Sequence, residues 1–494
     1  MIYIETQKGN MPHNDNEIHN SPPRQLSQFR QEVRACFNAR SEATMNLLDA
    51  IASNTAAQSV VELSLNPCFP HQYRSVYDAI ENFLTVSDSQ TEPGERRAKE
   101  LDLMRLCVPY LPVPKQRDFW LFGLDVTPQP RPCAKTLADR TIVYQPNTVL
   151  SNKPITIGHQ YAALVCFPDK ASVASPPWVI PLSIRRVGSQ EKATNVQAQQ
   201  IASLLTEEAF PLHNDLSVCV VDSTLSAIPF LGPVKSIKNL VTIARCRSNR
   251  VFYHRPAKAT NKRGHPIWYG ARFDLKDAST WTSADQTTSI ELTTRRGRTL
   301  KVVISAWYNL LMRGTREYPM HDNPFTLIRI RVNDVHGKPV FQRPLWLVVI
   351  GEKRDHLSLK AVWAAYLNRY DVEHFFRFGK QRLLTTAYQT PEVSHEENWW
   401  QLTQLAYMQL WLARQLAETM PRPWERYLPQ FHTTEASPSL VQRDFGRIIR
   451  QIEPPPSLPK PRGKSPGRAK GVSVNRREKQ KIIIKTKKRL KSAA

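Results

Sequence analysis

The sequence predicts a mixed α/β core with a β-rich insertion, preceded by an all-α N-terminal domain and followed by a basic disordered tail. Three observations lead there. Two buried-type apolar runs, LFGLD and LSVCVVD, each end on an acidic residue and are separated by strand-like segments and one helical segment. Residues 251–351 leave that rhythm for short alternating strand patterns. From Leu357 to Leu384 an apolar period of three and four residues runs without Pro and with one Gly, Gly379, which predicts a single long helix.

In chain order, residues 1–24 are polar and aperiodic and read as a disordered leader. Residues 25–115 turn helical. LSQFRQEVRACFNARSEATMNLLDAIAS carries one apolar stripe, and two or more helices follow it. Arg24, Arg30, Arg34, Arg40, Arg74, Arg96 and Arg97 lie on or beside these helices, where they could dock on DNA phosphates or serve only solubility. Residues 116–250 form the first part of the core. There the run from Phe119 ends on Asp125 and breaks at Pro128, Pro130 and Pro132. TIVYQPN, KPITIGHQYAALVCFPD and PPWVIPLSI read as strands, GSQEKATNVQAQQIASLLTEEAF as a helix, and LSVCVVDSTLS as a buried strand ending on Asp222. NLVTIARCRSN is a further strand that runs into Arg245, Arg247 and Arg250.

The insertion, 251–351, holds a hairpin around Arg296 and Gly297, two more strands, and Trp268, Trp281 and Trp307. Residues 352–450 complete the core with the long helix and the apolar helix ENWWQLTQLAYMQLWLARQLA. The tail, 451–494, has 14 Lys or Arg between Lys460 and Lys491 against Glu478 alone, which reads as a disordered nucleic-acid arm or a plain solubility tail.

A net charge of +25 and a pI near 9.9 point to a polyanionic partner, nucleic acid or an anionic membrane surface. No run of 18 apolar residues and no signal-peptide pattern appears, so a soluble intracellular protein is expected. Seven scattered cysteines without a C-x-x-C pair argue against a disulfide framework and a zinc site. The chain also lacks a P-loop and a G-x-G-x-x-G turn, so no nucleotide cofactor is expected.

On the long helix Tyr366, Arg369, Glu373 and Lys380 share one face of roughly 60°. A carboxylate between an arginine and a lysine suits a divalent metal beside phosphate-gripping cations. The bland reading is a solvated charged face. Asp125, Asp222 and Glu373 together make the oxygen-ligand set that hard cations need, although a lone Asp at a strand end is more often a cap. Asp215, which precedes its apolar run, is the weaker substitute for Asp222.

These residues resemble the DDE transposases of bacterial insertion sequences, which have a ribonuclease H-like core. Tyr366, Arg369, Glu373 and Lys380 match that family's Y-(2)-R-(3)-E-(6)-K signature, and LFGLDVTP and VCVVDSTLS fit its two Asp positions. The likeness is greatest to the groups with a β insertion before the Glu. It implies cleavage at transposon ends and strand transfer, with two Mg²⁺ or Mn²⁺ ions held by Asp125, Asp222 and Glu373. It further implies that Tyr366, Arg369 and Lys380 hold DNA. Arg245 and Arg247 join them as candidate DNA-binding residues by their place after a core strand. The implied partners are double-stranded DNA, as terminal inverted repeats and target, and a second copy in a homodimer; the implied location is the bacterial cytoplasm, at the nucleoid. Two other readings stand beside it, a noncatalytic DNA-binding descendant and a metal-dependent nuclease without strand transfer.

Overall fold

Runs of apolar residues too continuous for a half-exposed strand become the central strands of one sheet, because only burial on both faces accommodates them. The computed structural model describes residues 21–37, 39–83, 93–145, 153–172, 174–256, 267–293, 297–419, 422, 424, 435–452, 470–473 and 475–485. Residues 1–20 of the 1–24 leader and most of the tail lie outside them, whereas Pro22, Pro23 and Arg24 already belong to the first helix.

Four helices open the described chain: α1 (Pro22–Ala35), α2 (Ser41–Ala52), α3 (Tyr73–Glu81) and α4 (Pro93–Cys107). The stripe expected as one helix is two, divided at Arg40, whose φ of 51° is left-handed. Arg30 is not a surface cation. It is buried, pairs with Asp49 and reaches the Gln409 side chain, so it ties α1 to the C-terminal half of the chain.

The sheet begins with β1 (Trp120–Pro130), β2 (Thr141–Tyr144), β3 (Ile155–Cys166) and β4 (Ile180–Arg186). Helix α5 (Ala193–Thr206) leads to β5 (Ser217–Val221), and α6 (Ile228–Val234) to β6 (Leu240–Cys246). β1 lies antiparallel to β3 and parallel to β5, β5 is parallel to β6, and β2 and β4 both pair with β3. Three antiparallel strands followed by two parallel ones across helical connections are consistent with a ribonuclease H-like fold.

β1 does not stop at the prolines. It continues to Pro130 because β5 leaves its side after the pair Leu124↔Val221. Arg131 donates its N–H to Ile157 of β3, so Pro128 and Pro130 face the side that β5 has vacated, where a missing N–H costs no ladder bond. Asp125 therefore sits in mid-strand rather than at a strand end.

The 251–351 stretch supplies β7 (Val251–Tyr253) and β8 (Arg272–Asp274), a small sheet of their own. It also supplies β9 (Gln286–Thr293), β10 (Thr299–Leu310), β11 (Phe325–Asp334) and β12 (Leu345–Ile350). β9 and β10 form the expected hairpin, with Gly297 at φ 74° in its turn. These four strands do not build a separate layer. β12 pairs antiparallel with β6, so the order β2-β3-β1-β5-β6-β12-β11-β10-β9 makes one sheet, with β4 also on β3. Trp281 and Trp307 pack with Trp346 and Phe273 inside this part, and Trp268 alone of the three candidates is exposed, at 42%, stacked on His321.

The single helix expected from Leu357 to Leu384 is two, α7 (Leu359–Leu367) and α8 (Tyr370–Arg382). Asn368 causes the break. Its side-chain amide donates to the Ala364 carbonyl, and the N–H groups of Asn368, Arg369 and Asp371 bond three residues back instead of four. Helices α9 (Val393–Thr419) and α10 (Pro438–Ile449) follow. The apolar side chains of α1, α2, the sheet, α9 and α10 belong to one continuous hydrophobic cluster.

Residues 475–485 of the tail are not free. Gln480 and Ile483 donate backbone N–H groups to Lys135 and Arg140, Ile483 bridges Thr141 in parallel, and Lys485 Nζ donates to the carbonyls of Gly188 and Glu191. The expectation of disorder fails here because charge composition says nothing about an open strand edge, and β2 offers one.

Candidate active site

Asp125 and Asp222 are brought together by strand register. The parallel pair Leu124↔Val221 is the last of its ladder, so Asp125 and Asp222 are the residues that follow it on the two chains, Asp125 still in β1 and Asp222 just past the end of β5. Asp222 is shaped by its own loop, accepting from the N–H groups of Thr224 at 2.9 Å and Leu225 at 3.3 Å and from Thr224 Oγ1 at 3.0 Å. Asp125 Oδ1 accepts from the following N–H, of Val126, at 2.8 Å.

Glu373 arrives on the first turn of α8. The helix can come this close because β1 has Gly123 beneath it: a Cβ there would stand 2.6 Å from the Phe167 ring and 3.2 Å from Val372 Cγ2. Gly123 is two residues from Asp125, on the same face of the strand. Asp371, buried beside Glu373, pairs with Lys170 at 2.5 Å and fixes the start of the helix to the β3–β4 connection. Gly123→Ala is expected to cost about 1–3 kcal/mol by overpacking a buried ring. It is also expected to slow any reaction at this site at least tenfold, because it lifts Glu373 away from Asp125; thermal melts and single-turnover rates on the same protein check both.

Arg369 joins the parts. Its Nη2 lies 3.0 Å from Glu373 Oε1, and its Nη1 lies 3.8 Å from Asp125 Oδ2. The guanidinium is largely buried over the Tyr370 ring, 5.0 Å from the centroid. Burial pushes Asp125 up to about 6; the Val126 N–H opposes this, Asp222 and Glu373 add to it, and Arg369 opposes it. Buried Asp125 thus feels two further carboxylates, one of them on the half-exposed Glu373, a crowding of like charge that a cation would relieve. As placed, however, no group of three His, Cys, Asp or Glu among the described residues could hold a metal ion. The donor set fits a hard cation chemically, but an arginine side chain stands among its members.

The remaining candidates surround this centre. Arg245 is exposed one residue before the end of β6 and feels the Tyr366 hydroxyl electrostatically, and Arg247 Nε reaches Ser223 Oγ at 3.5 Å. Tyr366 is buried, which raises its pKa, and it interacts with Arg369 rather than facing solvent. Lys380, two turns beyond Glu373, is half-buried, which lowers its pKa, and no carboxylate lies within ion-pair distance of it among the described residues. Asp215 accepts from Trp120 Nε1 at 3.0 Å and takes no part in the site. Sequence reasoning missed Gly123 and Lys170, since a packing gap and a loop lysine have no spacing signature.

No curated protein matches this chain. The sequence profile of a family described as DDE superfamily endonuclease does match, over residues 32–312, which include Asp125, Asp222, Arg245 and Arg247 but stop short of α8. That stretch is more than half of the chain, and the chain belongs to the DDE superfamily endonucleases.

Proposed function

We propose that this chain is the DNA transposase of an insertion sequence, cutting the element's terminal inverted repeats and joining the freed 3′-hydroxyl to target DNA. The observation that carries the reading is the convergence of Asp125, Asp222 and Glu373, with Arg369 between them and Arg245 and Arg247 at the rim. Asp125, Asp222 and Glu373 would hold divalent ions, Mg²⁺ or Mn²⁺. Two such ions supply activation of a water or 3′-hydroxyl and stabilisation of the leaving oxygen in an in-line displacement at phosphorus.

The chain's own residues supply the rest. Arg245, Arg247 and Lys380 present positive charge to the phosphates on either side of the scissile bond, and Tyr366 orients the Arg369 guanidinium for the same purpose. The net positive charge adds sequence-independent affinity, so binding weakens steeply with salt. The proposed working unit is a homodimer on paired ends, in the bacterial cytoplasm.

The test compares wild type with Glu373→Gln on a labelled element end in Mg²⁺ or Mn²⁺. Cleaved and joined products from wild type, lost at least about 10³-fold in the variant while end binding is retained, support the proposal. Cleavage without joining would leave a nuclease, and binding without cleavage in both proteins would leave a DNA-binding descendant.

A further inference from the structure

The guanidinium of Arg369 lies between two of the candidate carboxylates. Arg369 lies at the junction of α7 and α8, held by a backbone bond from its own N–H to the Tyr366 carbonyl. Its guanidinium pairs with Glu373 at 3.0 Å, reaches to 3.8 Å from Asp125 and is 5.0 Å from the Tyr370 ring. Its Nε is buried with no hydrogen-bond partner. Arg369 thus spans the two carboxylates that arrive on different elements, one on the sheet and one on the helix.

We propose that Arg369 is a place-holding counter-ion that keeps the metal-free carboxylates together and must leave Asp125 when a divalent ion enters. The inference rests on the metal-binding reading of this site and adds a coupling to it. A guanidinium and a divalent cation repel each other strongly at such separations, so the two cannot share the gap between Asp125 and Glu373. The motion is confined to one side chain where the helix is already interrupted: Nε has no bond to break, and the guanidinium gives up its contact with Asp125 and, if it swings outward, its interaction with Tyr366. The displaced guanidinium, still bound to Glu373 or swung outward over Tyr370, is then free for a phosphate oxygen, which it can meet with two parallel N–H donors. Metal entry and phosphate binding are linked through one side chain: each makes the other more favourable, and by the same factor.

The experiment titrates full-length protein with Mn²⁺, without DNA, and follows the free aqueous ion by electron paramagnetic resonance. It compares wild type, Glu373→Gln, Arg369→Gln, Arg369→Lys and Tyr370→Leu. Arg369→Gln is expected to bind Mn²⁺ about 5- to 50-fold more tightly, the range of ordinary coupling between sites. Arg369→Lys keeps the charge and should stay near wild type. Tyr370→Leu leaves the arginine but removes the ring beneath it at an exposed position, and should shift affinity the same way by less. DNA binding should gain from Mn²⁺ in wild type and lose that gain in Arg369→Gln.

Equal or weaker Mn²⁺ binding by Arg369→Gln with an unchanged circular dichroism spectrum would overturn the inference. So would Arg369→Lys matching Arg369→Gln. Should Arg369→Gln fail to fold, an unshifted Tyr370→Leu overturns it instead. Failure of the underlying reading has a different signature, no Mn²⁺ bound by wild type or no loss in Glu373→Gln.

Discussion

Asp125→Asn is expected to stabilise the metal-free chain at neutral pH while abolishing DNA cleavage. Asp125 is pushed up to about 6, from an ordinary 3.8, by burial first, and Asp222 and Glu373 push the same way against the Val126 N–H and Arg369. The native state therefore binds its proton more tightly than the unfolded chain does. The stability this gives is fully present below about pH 4 and is lost as pH rises through about 6. A shift of about two units corresponds to about 3 kcal/mol at most. Asn carries no charge at any of these pH values, keeps an oxygen for the Val126 N–H and removes the repulsion. In EDTA the variant should exceed wild type by roughly 1–3 kcal/mol at pH 7.5 and lose that advantage by pH 4.5, measured as denaturant midpoints. A less stable Asn variant at pH 7.5 would mean that the pairing of Asp125 with Arg369 outweighs desolvation and repulsion.

Glu396→Ala should cost about 3–5 kcal/mol, the range for removing one partner of a buried ion pair. Glu396 comes from α9 and is buried against the sheet. One carboxylate oxygen accepts from the Tyr161 hydroxyl at 3.0 Å and lies 2.7 Å from His159 Nδ1; the other lies 3.4 Å from Arg131 Nε. Arg131 also donates to the Tyr388 carbonyl at 2.7 Å, the Gln389 side chain at 2.8 Å and the Thr390 carbonyl, and His159 Nε2 lies 3.0 Å from the Ala138 carbonyl. Removal of the carboxylate strands a buried guanidinium and a buried hydroxyl. Glu396→Gln, which keeps an acceptor, should cost less than half as much. Urea unfolding of the three proteins orders them; equal losses for Ala and Gln would show that charge rather than hydrogen bonding holds α9 to β1 and β3.

The two kinds of information divide along a physical line. Apolar period and the residues that interrupt it are local properties, so the strands around LFGLD and LSVCVVD, the β9–β10 hairpin and the helical character of 357–384 were legible in the sequence. Asp125 and Asp222 stand out in the sequence as acidic residues at the ends of apolar runs, and Glu373 by its helical spacing from Tyr366, Arg369 and Lys380. What the sequence could not state was anything set by partners far along the chain. Pro128 reads as a strand end in the sequence, but β5 has left β1 after Leu124 and leaves room for it, and the 251–351 strands read as a separate insertion, but β12 pairs with β6. Arg30 looked like a surface cation until Asp49 and Gln409 surrounded it, and the tail looked free until residues 475–485 met the edge of β2. Pairing, burial and the seat of Arg369 among the carboxylates are long-range contacts, and a contact between residues hundreds of positions apart leaves no trace in the local pattern of either.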